Sequence, residues 1–523
     1  MSKLPIGIQT FEKIRKADQI YVDKTDLIYQ LANGPQYVFL SRPRRFGKSL
    51  LISTLDSYFR GKRELFEGLK IADLETEWRT YPVIRIDLAG VFYREEGALE
   101  SGLRILLERN AVANGLPDWK SDPKDFLGTS FSSLIEEIYR IHGPVVVLID
   151  EYDKALVNVL DDMSIFERNQ AILAPFYGVL KSQDDKIRFG MLTGVSQFAK
   201  LNIFSGLNNL WDISTLPEYA NIVGFSLDEL NRFFPEELRA FQRASGMTEE
   251  LFEQQFRLQY NGYSWNGVNF LHNPFSVLSA MQAKLFRDFW YYTGGTTFLT
   301  QLIVHHQIEP EDIAPYRTAE LIGRSVDPTR IPLPLLLFQT GYLTIKERTV
   351  IFGEETFTLD YPNGEVRRAF FKSILQEFAP KTIEQYDDVV RDVKHSLRNG
   401  QPDALFSALK RLFASIPARL HLPYEAYYHS MVYLFLRMAG FQVQLERETS
   451  QGRIDGVVEM NGRTFIIEFK FAKKGKPETL SQKAIDQIRE RAYFEAYRQS
   501  ARELVLLGVG VVQKALHGRW EVV

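Results

Sequence analysis

The sequence predicts an α/β protein: a parallel sheet covered by helices, then a mostly helical segment, then a smaller part built around a β-hairpin. Three observations carry this expectation. Short apolar runs in the first half alternate with helical patterns, a Gly47-Lys48-Ser49 loop joins the first run to its helix, and Asn461-Gly462 separates two β-rich runs near the C-terminus. The apolar runs are 37–40, 83–88, 145–149 and 189–192, with helical patterns such as 50–59 and 98–114 between them. Continuous apolar runs separated by helices are the mark of parallel strands buried on both faces. The block ends near Gly224, where Ser226-Leu-Asp-Glu229 reads as a capping box with Phe225 and Leu230 placed as a hydrophobic staple. From there to about residue 375 the pattern is mostly helical, with aromatic-rich stretches NGYSWNG and FWYYTGG. A polar helix over 382–399 leads to a boundary at Gly400-Gln-Pro402, and the remainder reads helix, hairpin, helix, strand.

Composition narrows the class. A length of 523 residues, at ~100–200 residues per domain, predicts three or four domains. With 45% hydrophobic, 13% aromatic and 25% charged residues the chain is ordinary globular stock, which excludes collagen and wholesale disorder. The absence of cysteine excludes disulfides, a thiol nucleophile, a thiolate zinc site and iron–sulfur clusters. The first residues, MSKLPIGIQTFEKIRKADQ, contain no apolar signal core, and no run approaches the ~20 apolar residues of a spanning helix. The expectation is a soluble cytoplasmic protein without a membrane partner. The net charge of -3 is uneven: residues 401–523 carry +5 and residues 1–400 carry -8. A basic C-terminal part fits a polyanion, and a solvated charged surface gives the same count.

YVFLSRPRRFGKSLL runs strand, loop, helix. Helix N-terminal amides and the helix dipole favour phosphate there, and Gly47 permits close approach. Lys48 is placed to reach β- and γ-phosphates and Ser49 to ligate Mg²⁺. Arg44 and Arg45 add positive charge, and Phe46 and Leu50 complete the loop and first turn. The generic pattern G-x-x-x-x-G-K-[ST] is broken at its first position, which holds Arg42. The second half of the site is Pro144-Val-Val-Val-Leu-Ile-Asp150-Glu151, an apolar strand ending in two acids. Asp150 would hold Mg²⁺, usually through water, and Glu151 would orient or deprotonate the attacking water, or else be a plain strand-end carboxylate. Thr193, Gly194 and Ser196 end a third strand, as a γ-phosphate sensor or as a hydroxyl-capped turn. Arg42, Arg44, Arg45 and Arg85 are all open as an arginine finger.

The second constellation lies in GRIDGVVEMNGRTFIIEFKF. A two-residue Asn-Gly turn pairs Met460 with Arg463. The same register sets Asp455 opposite Glu468, at Cβ separations of about 4.5–5.5 Å, with Lys470 on the same face. Facing like charges need a cation, and hard oxygen ligands suit Mg²⁺. Asp455, Glu468 and the Phe469 carbonyl would hold it, while Lys470 would orient water and stabilise developing charge. The alternative is a solvated polar face, against which stand Val457 and Ile466 on that same face. Lys483, Gln487 and Arg491 recur at helical spacing, either supporting the site, touching a phosphate backbone or forming a solvated stripe. Glu425 lies on the upstream helix, and His429 reads as a packed or capping residue.

These residues resemble an AAA-ATPase-like family, common in bacteria, that carries a C-terminal PD-(D/E)XK nuclease-like domain. The resemblance rests on SRPRRFGKSLL, LIDEYDKAL, YVDKT at 21–25, NGYSWNG, HNPFSVL, the TGG at 293–295, TGYLTI and PNGEVRRAF. In that family Arg is the usual residue at position 42. The resemblance implies a P-loop NTPase domain with a parallel sheet over 1–225, a helical or winged-helix-like lid and linker over 226–400, and a restriction-endonuclease-like α/β domain over 401–523. It assigns Lys48, Ser49, Asp150 and Glu151 to the ATPase motifs, and Asp455, Glu468 and Lys470 to the nuclease core. Gln487 and Tyr493 match a QxxxxxY pattern, and Ile454 replaces the motif proline. It implies ATP and Mg²⁺ as cofactors, DNA or RNA as partner, and a role in bacterial defence or mobile-element conflict, while a homo-oligomer stays open. The leading function is an ATP-controlled, Mg²⁺-dependent nuclease. The alternative is an ATP-driven signalling or scaffold switch whose C-terminal domain binds without cleaving, and a motor-like remodeller ranks last. Trp265, Trp290 and Tyr292 are core aromatics or a base-stacking surface.

Overall fold

The computed structural model describes residues 4–197, 209–290, 313–319, 332–378, 383–414, 443–449, 452–460, 462–498, 503–512 and 515–523, with single positions at 432, 436 and 441. Expectations placed on Tyr292, the TGG at 293–295, Glu425, His429 and Asn461 lie outside the described residues. The chain divides into two units, residues 1–294 with 314–363, and residues 295–313 with 364–523.

The first unit is built on a five-stranded parallel sheet. Its strands are β1 (Tyr37–Ser41), β2 (Val83–Asp87), β3 (Val145–Asp150), β4 (Ile187–Gly194) and β5 (Trp211–Asp212). The order is β2-β3-β4-β1-β5, so β4 lies between β1 and β3. Every residue of β1 and β3 is buried, as apolar runs covered on both faces require. The connecting helices include α1 (Lys48–Phe59), α2 (Ala98–Ala113), α3 (Leu127–His142) and α4 (Met163–Ser182). Because β1 and β3 flank β4, the loops leaving their carboxyl ends converge on one crevice.

The segment expected as a lid begins at α5 (Leu227–Phe233). Its capping box is formed by Ser226 and Glu229, and Phe225 and Leu230 share one apolar cluster. A short antiparallel pair, β6 (Asn261–Tyr263) and β7 (Leu271–His272), precedes α6 (Pro274–Ala283). Asn273 caps α6 by accepting from the amides of Phe275 and Ser276, with Pro274 at the first helical position. The segment is less helical than its sequence reads. β8 (Tyr316–Thr318), β9 (Thr344–Ile351) and β10 (Glu354–Asp360) form an antiparallel sheet in the order β8-β10-β9, with α7 (Leu333–Thr340) ahead of β9. The β9 sequence TIKERTVI is rich in helix-favouring charge, and cross-strand pairing overrides that weak preference. Trp265 and Trp290 are buried, so both are core aromatics.

The second unit carries α8 (Ile383–Asn399), α9 (Pro402–Ala414), β11 (Val443–Thr449), β12 (Gly452–Met460), β13 (Arg463–Ala472), α10 (Pro477–Glu490), β14 (Glu503–Val512) and β15 (Ala515–Val522). Its sheet has the order β11-β12-β13-β14-β15, with β13 and β14 parallel and the other pairs antiparallel. The sequence pattern missed β11 and β15. In β15, Gly518 interrupts the alternation because it lies under Phe406 of α9, where a side chain would collide. Phe465, Ile467 and Phe469 of β13 meet Leu397, Leu405 and Leu409 of α8 and α9. Ile466, on the other face, packs with Val457 of β12 and with Ile485 and Ile488 of α10.

Candidate functional site

The phosphate-loop sequence sits between β1 and α1. Gly47 adopts φ +102°, a left-handed conformation open to glycine at low cost, and it starts α1. Arg45 is also left-handed at φ +65°. Lys48 is buried, and its Nζ donates to the carbonyls of Arg42 at 2.8 Å and Pro43 at 3.0 Å. Burial lowers the pKa of Lys48, opposed by the charges of Asp150, Glu151 and Asp153. A cavity of about 480 Å³ opens here. Arg44, Arg45, Phe46, Gly47, Lys48, Ser49, Leu50 and Glu151 all line it, so the structure gathers most of the first constellation around one space.

Asp150 and Thr193 lie beneath that wall. Thr193 Oγ1 donates to Asp150 Oδ1 at 2.6 Å, and Glu151 N–H donates to the same oxygen at 3.0 Å. Asp150 Oδ2 is buried with no hydrogen-bond partner. An orphaned carboxylate oxygen beside a lysine ammonium fits a hard cation. Glu151 stands at φ +53°, unusual for its type, with its carboxylate 3.3 Å from Lys154 Nζ. Arg44 Nη2 donates to Asn158 Oδ1 at 2.9 Å, and the Arg45 guanidinium lies 4.0 Å from the centre of the Phe275 ring. The Phe46 side chain packs edge-on against Tyr263 and Trp265 of the lid.

Sequence reasoning missed two parts of this site. The first is Asp153. It is buried, and its carboxylate accepts from the amides of Val195 and Ser196 and from Ser196 Oγ, fixing the end of β4. Burial raises its pKa. The second is the apolar end of the cavity, made by Ile8, Val22, Val223, Phe225, Phe275 and Leu278. The YVDKT and HNPFSVL stretches were signals for these walls. Lys24 of YVDKT is buried and donates to Glu229 Oε1 and to the Asn221 carbonyl, each at 2.6 Å.

The hairpin of the second unit keeps the expected register. Met460 pairs with Arg463 and Gly456 with Ile467. One step on, the ladder gives way to a side-chain contact: Asp455 Oδ2 accepts the Phe469 N–H at 2.7 Å. Glu468 is buried, with Oε1 3.1 Å from Lys470 Nζ and also bonded by Gln487 Nε2. Its Oε2 is buried and has no hydrogen-bond partner. Burial, and then the Asp455 charge, push the Glu468 carboxyl up to about 7, with Lys470 opposing. The neighbouring strand makes room for this cluster. Glu468 pairs with Gly508 and Lys470 with Gly510 on β14. A Cβ at Gly508 would stand 2.5 Å from Ser481 O, and one at Gly510 2.5 Å from Ser481 N. The glycines let α10 lie directly on β14, which brings Gln487 to Glu468. Lys483 and Arg491 flank Gln487 and are exposed. Tyr493 instead packs in the apolar core. Among the described residues no group of three or more His, Asp or Glu is placed to hold a metal ion. Asp455 and Glu468 are a pair, which suits an ion completed by main-chain and water oxygens.

Comparison with known proteins decides the family. Residues 5–204 match the family described as predicted AAA-ATPase, and residues 423–520 match the PD-(D/E)XK nuclease superfamily. A protein of Azotobacter chroococcum mcd 1, described as an uncharacterized protein in the vnfD 5′ region, is 35% identical over 97% of this chain and 96% of its own length. The chain belongs to the AAA-ATPase-like family and ends in a PD-(D/E)XK nuclease-superfamily domain. A solved structure of the Aeropyrum pernix ORC2 protein, in ADPNP–ADP complexes, overlaps 70% of this chain and 93% of its own at 12% identity, with a TM-score of 0.30. An overlap that low carries no argument. The AAA-ATPase-like match contains the Lys48 side of the cavity, and the PD-(D/E)XK match contains Asp455, Glu468, Lys470 and Gln487. Among the described residues, no helix is long and apolar enough to cross a membrane.

Proposed function

We propose that this AAA-ATPase-like protein binds and hydrolyses ATP, and that its nucleotide state controls a Mg²⁺-dependent nuclease in the PD-(D/E)XK domain. One observation carries the nuclease half. Glu468 is a buried carboxylate bonded through one oxygen to Lys470 and Gln487, with its other oxygen unpartnered beside Asp455. A purely structural site has no use for a buried carboxylate pushed toward neutrality. Asp455, Glu468 and the Phe469 carbonyl are the residues to hold Mg²⁺. The ion would supply Lewis-acid activation of a phosphodiester when bound. Lys470 orients the attacking water and holds charge on the phosphate, and Gln487 fixes the carboxylate. In the ATPase half, Lys48 would meet the phosphates, Ser49 and Asp150 would hold Mg²⁺, Arg44 and Arg45 supply charge, and Thr193 fixes the Asp150 carboxylate. Glu151 orients the attacking water.

The test is one cleavage experiment on the full chain. Plasmid DNA, single-stranded DNA and RNA are each incubated with Mg²⁺ or EDTA, with and without ATP. We expect Mg²⁺-dependent cleavage of at least one substrate, lost in Lys470→Ala and changed in Lys48→Ala. Cleavage that survives Lys470→Ala sinks the site assignment. ATP turnover without cleavage of any substrate favours the non-cleaving switch.

A further inference from the structure

Arg42 stands where the generic phosphate loop has glycine, yet its guanidinium is not on the cavity wall. It is fully buried. Nη1 donates to the carbonyls of Ser41 at 2.9 Å and Ser214 at 2.7 Å. Nε and Nη2 have no hydrogen-bond partner. Burial pulls the guanidinium down to about 9, with Asp212 opposing, so it stays charged at neutral pH. A buried charge with two unmet donors is costly. The compensating contact is a stack: Cζ lies 4.1 Å from the ring centre of Trp265. Trp265 belongs to the lid, four residues beyond Asn261 at the start of β6.

The main chain of Arg42 has a second engagement. Its carbonyl accepts Lys48 Nζ, the ammonium placed to meet phosphate. One residue therefore holds the phosphate-seeking lysine through its carbonyl and the lid through its side chain. The next residue repeats the pattern. The Pro43 carbonyl also accepts from Lys48, and the Pro43 ring lies against Gly341, just after α7, where no side chain would fit. A glycine at position 42 would keep the carbonyl and lose the link.

We propose that Arg42 is a positioning residue that couples the Lys48 ammonium to the lid through its stack on Trp265. Its use as a report of nucleotide phosphates rests on the ATP reading above, but the coupling does not. Anything that draws the Lys48 ammonium away from the Arg42 carbonyl shifts the Arg42 peptide, and the fully buried side chain, its planar guanidinium stacked on the indole, passes that shift to Trp265.

The experiment is amide hydrogen exchange on the full chain over residues 261–270, where Ser264 N–H is held by Thr344 Oγ1 and Gly267 N–H by Ser264 Oγ. Lys48→Met should speed this exchange by about tenfold, the size expected for losing the charge-assisted hydrogen bond to the Arg42 carbonyl. In an Arg42→Met background the same Lys48→Met change should add less than about twofold. Trp265→Leu should abolish the effect in the same way, and Trp265→Tyr, which keeps an aromatic face, should restore it. Protection of the β1 amides reports that each variant is folded, and the Trp265 pair keeps the test alive if Arg42→Met is not. Equal acceleration in the wild-type, Arg42→Met and Trp265→Leu backgrounds overturns the coupling. A second arm adds ATP. If ATP leaves every amide of the wild type unchanged, the nucleotide reading fails while the mutant cycle still measures the coupling.

Discussion

Glu468 places a like charge beside Asp455 in a site with little water, and its carboxyl is raised from 4.5 to about 7. The fold therefore prefers its neutral form. The stability this group contributes is full below about pH 4.5 and is lost as pH rises through about 7. At ~1.4 kcal/mol per pKa unit the cost at pH 8 is about 3 kcal/mol, with the opposing Lys470 contact already included. Glu468→Gln should then stabilise the C-terminal unit by about 1–3 kcal/mol at pH 8 and add nothing at pH 4, read by urea unfolding. A gain that does not change with pH would refute this account. Mg²⁺ alone should protect the wild type against unfolding at pH 8 and not protect Glu468→Gln. His272 runs the other way. It is buried, its Nδ1 bonds the Phe225 carbonyl, and burial lowers it to about 4 from 6.5. A base held below its ordinary value supports the fold above about pH 6.5, and that support is lost as pH falls through about 4. The Phe225 carbonyl also accepts the His272 amide, so His272→Leu leaves it satisfied. We expect the variant to be more stable than wild type at pH 5 and no more stable at pH 7.5. Equal stability at both pH values would show that His272 does not drive acid loosening.

Among the elements, α10 matters most to the second site because it lies on two glycines. Gly510→Ala places a methyl against the backbone of Pro477 and Ser481, atoms that cannot rotate away. Overpacking of this kind costs about 1–3 kcal/mol. The helix should lift, separating Gln487 from Glu468 and lowering cleavage. Substitution at Gly462, in the hairpin turn, should lack this effect on cleavage. If Gly510→Ala cleaves at the wild-type rate, the helix does not position the site. The same elements show what the sequence could reveal. The hairpin register was legible because a two-residue turn fixes it, and Asp455, Glu468 and Lys470 followed from counting along two strands. The buried strands were legible from continuous apolar runs. β15 was not, because Gly518 answers to Phe406, a residue distant in sequence. The β9 and β10 pair was hidden by Glu, Lys and Arg, whose weak helical preference is overridden by pairing. Asp153 was missed for a related reason. Its partners, Val195 and Ser196, lie just past the end of β4, and only the fold brings them together.

Over the whole molecule, two units with separate cores should make unfolding at least two-step. The Lys48 cavity belongs to the first unit and the Asp455 and Glu468 pair to the second. A ligand that binds one native unit stabilises that unit alone, by about 2.7 kcal/mol at one hundred times its Kd. At ~2–4 °C per kcal/mol for a unit the size of the second, the shift there is roughly 5–10 °C, and it is smaller in the larger first unit. In scanning calorimetry ATP with Mg²⁺ should raise one transition, and Lys48→Ala should remove that shift. Mg²⁺ alone should raise the other transition, and Asp455→Ala should remove that one. Control of one site by the other adds a sharper requirement. By reciprocity, ATP can alter the affinity of the second unit for nucleic acid only if nucleic acid alters ATP affinity by the same factor. Calorimetric titration of ATP should therefore give different Kd values with and without a bound oligonucleotide, using Lys470→Ala so that nothing is cut. Identical values would mean that the two sites share a chain without equilibrium coupling, and control of cleavage by nucleotide would have to act on rate alone.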